Sequence, residues 1–385
     1  MNINNLLTKI FNDKNYFIKI NNEINSIADL IGNGYDKNTL SKKYSKNFEF
    51  LYEFARSRIK IKNKFSNYKS LFMDYYSSMY STPEIIGKYR SEKLKDNDIV
   101  DIGAGSGMQS IMLSFNSDVT GIENDRSRYL MSNINKKVYN SNVKFINSDF
   151  FELNYDYYNK IVFSDPLRPK TSEERLFSDL VPDPEVIIKK SNSIKGYVFD
   201  LPPQMKWNNI KLNGEKEYIS INGNINRLTL YSKSISANNV SAVMLPENIK
   251  ISGEPCDFNY DIENIRNDDY LYLPDISLIY SKLLYKIISN DFHLIYIDNK
   301  RYVFTSNKNI KNFFGKKYKI LSITDKNNML SELKKVDANK IFLRFNIDPR
   351  EYYKMKNNVE NLLSGDKNIF IFKNLNNYIL TELVK

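Results

Sequence analysis

The sequence predicts an α/β chain in three parts: a mainly helical basic region at 1–95, a doubly wound, mainly parallel sheet at 96–255, and a separate α+β unit at 256–385. Three observations carry this. Residues 99–107, Ile-Val-Asp-Ile-Gly-Ala-Gly-Ser-Gly, run an apolar stretch into three alternating glycines, and Met108, Ser110, Ile111 and Met112 continue at helical spacing. That is the pattern of a buried strand, a tight turn and a helix start. Short strand-like runs at Ser117–Ile122, Val143–Ile146, Lys160–Ser164 and Gly196–Leu201 follow at intervals, with helical stretches between them. Charge divides the chain the same way: 17 Lys and Arg against 9 Asp and Glu in 1–95, 18 against 20 in 96–255, and 21 against 16 in 256–385.

Within the first part, Asn25–Ile31, Leu40–Ile59 and Tyr68–Met79 space apolar residues by three and four and read as helices, broken by Gly32, Gly34 and Pro83. Ser81 or Thr82 ahead of Pro83-Glu84-Ile85-Ile86 marks another helix start, with proline in its first turn. In the central part Asp125 caps a helix to about Val138. A proline-rich turn, Asp179 to Pro184, leads to helix Glu185–Ser191. Strands at Glu217–Ile221 and Asn226–Tyr231 flank an Asn222-Gly223 hairpin turn, and Val240–Leu245 reads as the last strand. The final part reads as helix Ile276–Ile288, a hairpin turning at Asp298-Asn299, strand Tyr318–Ile323, helix Met329–Val336, strand Lys340–Phe345, helix Pro349–Leu363 and strand Asn368–Phe372.

Composition removes several classes of function. With 385 residues and 42% hydrophobic content the chain can bury a large core. It has no run of eighteen apolar residues, so no membrane span is expected. Met1-Asn2-Ile3-Asn4-Asn5 lacks a secretory pattern, and a cytoplasmic location is expected. A single cysteine, Cys256, excludes an internal disulfide and a cysteine metal cluster. The one histidine, His293, sits in an apolar strand, so neither a histidine metal site nor a histidine triad is expected, and no metal is assigned.

Glycine serves where a backbone takes positive φ and a ligand approaches closely. The dinucleotide fingerprint needs its third glycine three positions after the second, and that position here is Met108. Instead Gly103, Gly105 and Gly107 alternate around Ala104, and Asp101 stands two residues ahead of the first. This pattern resembles the first motif of Rossmann-like class I methyltransferases, in which the turn faces the amino-acid half of S-adenosyl-L-methionine. Glu123 ends the second strand eighteen positions after Gly105, where an acceptor-only carboxylate suits ribose hydroxyls, and Asn124 follows it. The resemblance assigns Asp149 to the adenine amine and Phe150 to the ring face. The fourth strand runs into Asp165-Pro166-Leu167-Arg168-Pro169. Related amine methyltransferases carry Asp/Asn-Pro-Pro-aromatic there, so Asp165 and Pro166 keep the amine-holding half while the stacking half is lost. Arg168 is left to grip a phosphate bidentately or to pair with an acid. Trp207, with Pro202-Pro203, is a candidate for the missing apolar wall, and Ser81, Thr82 and Arg90 for a lid over the cofactor.

From about Lys64 to the end, the order of features is similar to that of class I methyltransferases with a C-terminal THUMP-like domain. The carrying residues are Ser81-Thr82-Pro83-Glu84 with Tyr89-Arg90, Asp101–Gly107, Asp165–Arg168, Tyr272-Leu273-Pro274-Asp275, Phe314–Leu321, Arg344-Phe345 and Asp348-Pro349. The resemblance implies an RNA substrate, tRNA first, methylated on a base nitrogen held at Asp165-Pro166. The charge fits such a partner. Arg56, Arg58, Lys60, Lys62 and Lys64 form an acid-free run, and Lys316, Lys317 and Lys319 sit among Phe313, Phe314 and Tyr318. Two other readings stay open: a methyltransferase of protein or a small molecule, and a non-catalytic RNA-binding protein that keeps the fold.

Overall fold

The computed structural model describes residues 2–44, 47–167, 176–257, 261–298 and 301–384. They form two compact units, Met1–Glu215 with Leu228–Ala237, and Lys216–Arg227 with Asn238–Lys385.

The first unit opens with α1 (Ile3–Asn12), α2 (Lys14–Gly32), α3 (Lys37–Lys43) and α4 (Phe48–Ile61). Asn2, Asp13 and Asp36 cap the first three, their side chains accepting from the amides of Asn5, Tyr16 and Thr39. The expected single helix Leu40–Ile59 is two, because Tyr44 leaves the helical region and Asn47 takes a φ of 61°. The expected Asn25–Ile31 is only the last part of α2, whose buried stripe of Ile20, Ile24 and Ile27 starts a turn earlier. Tyr68–Met79 is not one helix either. It is a single 3-10 turn, Tyr68–Ser70, then an extended stretch, then α5 (Tyr75–Tyr80). Leu71, Phe72 and Met73 are buried in succession, and both backbone groups of Phe72 bond to the Asn135 side chain rather than within a helix.

After α6 (Glu84–Lys93) the chain alternates through β1 (Asp98–Ile102), α7 (Met108–Leu113), β2 (Asp118–Glu123), α8 (Arg126–Val138), β3 (Lys144–Asn147), β4 (Ile161–Ser164), α9 (Pro184–Lys190), β5 (Gly196–Leu201), β6 (Gly214–Ile221) and β7 (Asn224–Ser232). In this unit the strands lie in the order β3-β2-β1-β4-β5-β7, parallel except for the antiparallel β5–β7 pair. One core packs Ile99, Ile111, Phe163 and Val198 with Phe65 and Met73. A second joins α1, α2 and α4 to Leu130, Met131 and Ile134 of α8. Buried Asn135 ties these layers together. Its Oδ1 accepts from Phe72 N at 2.8 Å, and its Nδ2 donates to Phe72 O and to Ser106 O in the glycine turn, both at 2.9 Å.

In the second unit, β8 (Val240–Leu245) pairs with β6 in parallel and with β9 (Ile249–Gly253) antiparallel. The rest comprises β10 (Tyr270–Pro274), α10 (Ile276–Tyr280), β11 (His293–Asp298), β12 (Arg301–Ser306), β13 (Gly315–Thr324), α11 (Met329–Lys335), β14 (Ala338–Leu343), α12 (Pro349–Glu360), β15 (Lys367–Asn374) and β16 (Asn377–Leu383). Its seven-stranded sheet has the order β11-β12-β10-β13-β16-β15-β14. The expected helix Ile276–Ile288 stops at Tyr280 because Lys282 takes a φ of 58°, and one 3-10 turn, Leu284–Lys286, follows. Strands β9, β10 and β16 are additions to the sequence reading.

Candidate active site

In the first unit, Ile102 lies in register with Ile122 on one side and Ser164 on the other. Ser164 Oγ also donates to Ile102 O at 2.9 Å. The chain therefore leaves β1, β2 and β4 at one level, and a cleft of about 430 Å³ opens at that carboxyl edge, where ligands of open α/β sheets bind.

Its floor is the glycine turn. Gly103 and Gly105 take φ of 76° and 58°, and a Cβ on either would meet nothing within 4 Å. They form an open cradle. Gly107 (φ 82°) is different, because a Cβ there would lie 2.7 Å from Phe145 Cζ and Ser132 Cβ. It does not line the cleft, and the expectation that it touches a cofactor is corrected to a packing role at the start of α7. Four of the turn's amides serve the protein itself: Gly103 N and Ala104 N donate to Ile122 O (2.9 and 3.0 Å), Gly105 N to Glu123 Oε2 (2.7 Å) and Gly107 N to Ala104 O (2.9 Å). A pyrophosphate needs such donors free, so the cradle suits another kind of ligand.

The walls are acidic. Asp101 is buried and accepts from Ser110 Oγ. Burial raises its pKa to about 7, with Asp165 and Glu123 adding to the rise and Ser110 and Arg90 opposing it. Glu123, also buried, accepts one amide on each oxygen, Gly105 on Oε2 and Asp125 on Oε1 at 2.8 Å. Each oxygen keeps a second lone pair. Asp149 Oδ1 accepts from Phe151 N at 2.7 Å, beside buried Phe150 and exposed Phe151, whose rings meet edge-on at 5.1 Å. Exposed Asn124 lines the same wall. Asp165 is half-buried at the end of β4; Pro166 is buried behind it and is not part of the lining. Leu167 follows, exposed and fixed to Val181 by two backbone bonds of 2.8 and 3.0 Å. Arg168 lies outside the described residues.

The remaining wall comes from α5 and the residues after it: Tyr76, Ser77, Tyr80, Ser81 and Thr82. Lys64, expected at a substrate surface, holds this wall instead. Its Nζ donates to Ser78 O, Met79 O and Ser81 O at 3.0, 2.8 and 3.1 Å, the favourable place for a cation at a helix carboxyl end. Arg90, expected in the lid, is buried. It donates to Asp200 Oδ1 (2.6 Å), Thr229 Oγ1 (2.9 Å) and Gln109 Oε1 (2.6 Å), because a guanidinium is held inside a fold only by acceptors on its fork. Trp207, half-buried in a 3-10 turn, does not line the cleft, and neither do Pro202 and Pro203. Sequence reasoning missed Tyr76, Tyr80, Gln109, Arg128, Val181 and Pro182 as lining residues. The Tyr76–Tyr80 pair, four apart with ring centroids at 4.7 Å, carried a usable signal.

The basic patches are thinner than their sequence. Arg58 is 1% exposed. It donates to Leu71 O and Asn21 O and to the side-chain oxygens of Asn21 and Asn25. Arg56 lies exposed over the Tyr75 ring at 4.2 Å, and Lys60 and Lys62 are exposed. In the second unit Lys317 and Lys319 share one face of β13 while Lys316 alternates to the other with Tyr318. Tyr318 is fully buried, and Phe313 packs edge-on against Tyr272. Neither ring is presented to a base. Among the described residues no helix is long and apolar enough to cross a membrane, and no group of three His, Cys, Asp or Glu side chains is placed for a metal ion.

A Porphyromonas gingivalis W83 protein assigned as a methyltransferase is similar in structure over 97% of this chain and 99% of its own, with a TM-score of 0.70 at 15% sequence identity. At that identity the likeness establishes a shared fold over that 97% of the chain. Partial overlaps include a Listeria monocytogenes protein assigned as a class I S-adenosylmethionine-dependent methyltransferase (13% identity, 59% of this chain and 93% of that one, TM-score 0.37). Another is the T. thermophilus 16S rRNA N2 G1207 methyltransferase, solved with AdoMet and guanosine (16% identity, 34% and 38%, TM-score 0.28). No family model and no curated protein matches the sequence.

Proposed function

We propose that the chain is an S-adenosyl-L-methionine-dependent methyltransferase acting on a base nitrogen of RNA, with tRNA the favoured substrate. The observation that carries the cofactor is the cleft itself: an open glycine cradle in which the amides of Gly103, Ala104 and Gly105 are already used, walled by Asp101, Glu123, Asp149 and Asp165. A cationic nucleoside answers that chemistry and a pyrophosphate does not. In this reading Asp101 faces the ammonium group, the free lone pairs of Glu123 take the ribose hydroxyls, and Asp149 with Phe150 holds the adenine beside Asn124. The bound group supplies a methyl carbon made electrophilic by a sulfonium.

The chain's own part is positioning. Pro166 biases Asp165 toward extended backbone, and the Ser164–Ile102 bond fixes the strand beneath it. The Asp165 carboxylate accepts a hydrogen bond from the acceptor amine, turning its lone pair toward the methyl carbon. Tyr80, Phe151, Leu167 and Val181 are among the exposed large apolar side chains, and all four line this cleft. They supply an apolar mouth for a planar base where the motif lacks its stacking residue. The C-terminal α+β unit, read as THUMP-like from Tyr272–Asp275 and Asp348-Pro349, would hold the rest of the RNA.

The loss of Arg58 and Lys64 from the basic run favours a second reading, a protein or small-molecule acceptor. One experiment separates them. D165A is expected to bind S-adenosylhomocysteine within about two-fold of wild type while transfer of labelled methyl to bulk tRNA falls by about a hundred-fold or more. Heat of S-adenosylhomocysteine binding with no methyl transfer to any RNA pool would favour the second reading. No heat from wild type would refute the cofactor.

A further inference from the structure

Behind the cleft wall, Arg90 is buried with Asp200, Nη2 to Oδ1 at 2.6 Å, and Thr229 Oγ1 bridges the pair at 2.9 Å and 2.7 Å. The guanidinium also lies over the Phe163 ring at 5.0 Å. Its remaining direction is fixed by these contacts, and Nη1 donates to Gln109 Oε1 at 2.6 Å. A guanidinium has donors only. The Gln109 atom facing it is therefore the amide oxygen, and the NH2 group is turned away from Arg90. That Nε2 is buried and hydrogen-bonds to nothing among the described residues, although Gln109 forms part of the cleft lining.

A buried donor locked in one orientation without an acceptor is unfavourable, and a ligand that brought an acceptor would relieve it. The charged side chain of the lining able to donate is Arg128, whose Nε donates to Asp74 Oδ2 at 2.9 Å. Asp101 accepts from Ser110, the residue next to Gln109. The lining thus holds both a carboxylate and an amide donor, the complement of a zwitterionic α-amino acid.

We propose that Gln109, oriented by the buried Arg90–Asp200 pair, binds the carboxylate of the ligand's amino-acid moiety while Asp101 takes its ammonium. This rests on the cofactor reading above and adds the residue that distinguishes the intact cofactor from its nucleoside fragment. The test is calorimetry with S-adenosylhomocysteine and with 5′-methylthioadenosine, which keeps the nucleoside and lacks the amino acid. Q109E keeps an acceptor for Arg90 and removes the donor; Q109M is neutral and close in size. Both are expected to weaken S-adenosylhomocysteine by about ten- to a hundred-fold and to leave methylthioadenosine within about two-fold. Should one variant fail to fold, judged by its melting curve, the other decides. Equal losses for the two ligands, or no loss for either, would overturn the assignment while leaving the cofactor intact. Failure of wild type to bind S-adenosylhomocysteine would overturn the cofactor reading and this proposal together.

Discussion

Asp101 offers the sharpest test of the cleft because its titration is tied to what the cleft binds. Burial, reinforced by Asp165 and Glu123, raises its pKa to about 7, so about a tenth of it is ionised at pH 6 and about nine-tenths at pH 8. A cation that requires the carboxylate should gain about ten-fold in affinity across that interval. Asn at this position carries no charge at either pH. The ratio of wild-type to D101N affinity for S-adenosylhomocysteine is therefore expected to rise about ten-fold from pH 6 to pH 8, and the ratio cancels any titration of the ligand. Stability runs the opposite way. A carboxyl with a raised folded pKa holds its proton more tightly when folded, so the ligand-free protein loses stability as pH climbs from about 4 to about 7 and levels off above. The loss is roughly 4 kcal/mol at most, and D101N should lack it. Calorimetry in matched buffers and urea melts at each pH read both effects. A ratio that stays flat, or D101N binding as tightly as wild type at pH 8, refutes a charge-based role for Asp101.

Four further outcomes follow from the same geometry. G107A meets Phe145 and Ser132 at 2.7 Å with φ at 82° and should destabilise the fold by about 2–4 kcal/mol in urea melts; G105A, with open space above it, should cost about 1–2 kcal/mol yet lower S-adenosylhomocysteine affinity by about ten-fold or more. R58M removes four hydrogen bonds from the interior and should lower stability by about 2–4 kcal/mol, with no change in the salt dependence of RNA retention. Neutralising exposed Arg56, Lys60 and Lys62 together should leave stability unchanged and, if this face meets phosphate, lower the slope of log affinity against log salt by about 2 to 3.

The glycine turn and the acids at the strand ends were legible because their requirements are local. Positive φ at residues 103, 105 and 107 favours glycine whatever surrounds it, and a carboxylate at a strand end lands at the sheet's edge once the strands align. Element boundaries in the first hundred residues were not legible, because tertiary contacts decide them. Leu71–Met73 is extended since Asn135, 63 residues beyond Phe72, takes both backbone groups of Phe72. The role of Gly107 was hidden for the same reason, as Phe145 and Ser132 arrive from other elements.

The cations show where composition stops informing function. On α4 the buried stripe runs Leu51, Phe54, Arg58, Ile61 at intervals of three and four, so helical spacing already put Arg58 on the core side and Arg56 and Lys60 outside. Counting the run as one basic patch discarded that phase. Arg58, Lys64 and Arg90 each end on carbonyl, amide or carboxylate oxygens that fix the segment between α4 and α7. That segment supplies the α5 side of the cleft, and Arg90 orients Gln109. Three of the seventeen cations of the first ninety-five residues thus build the cleft and its support rather than facing a partner. The salt slope of binding, set by the exposed cations alone, measures the portion left for nucleic acid.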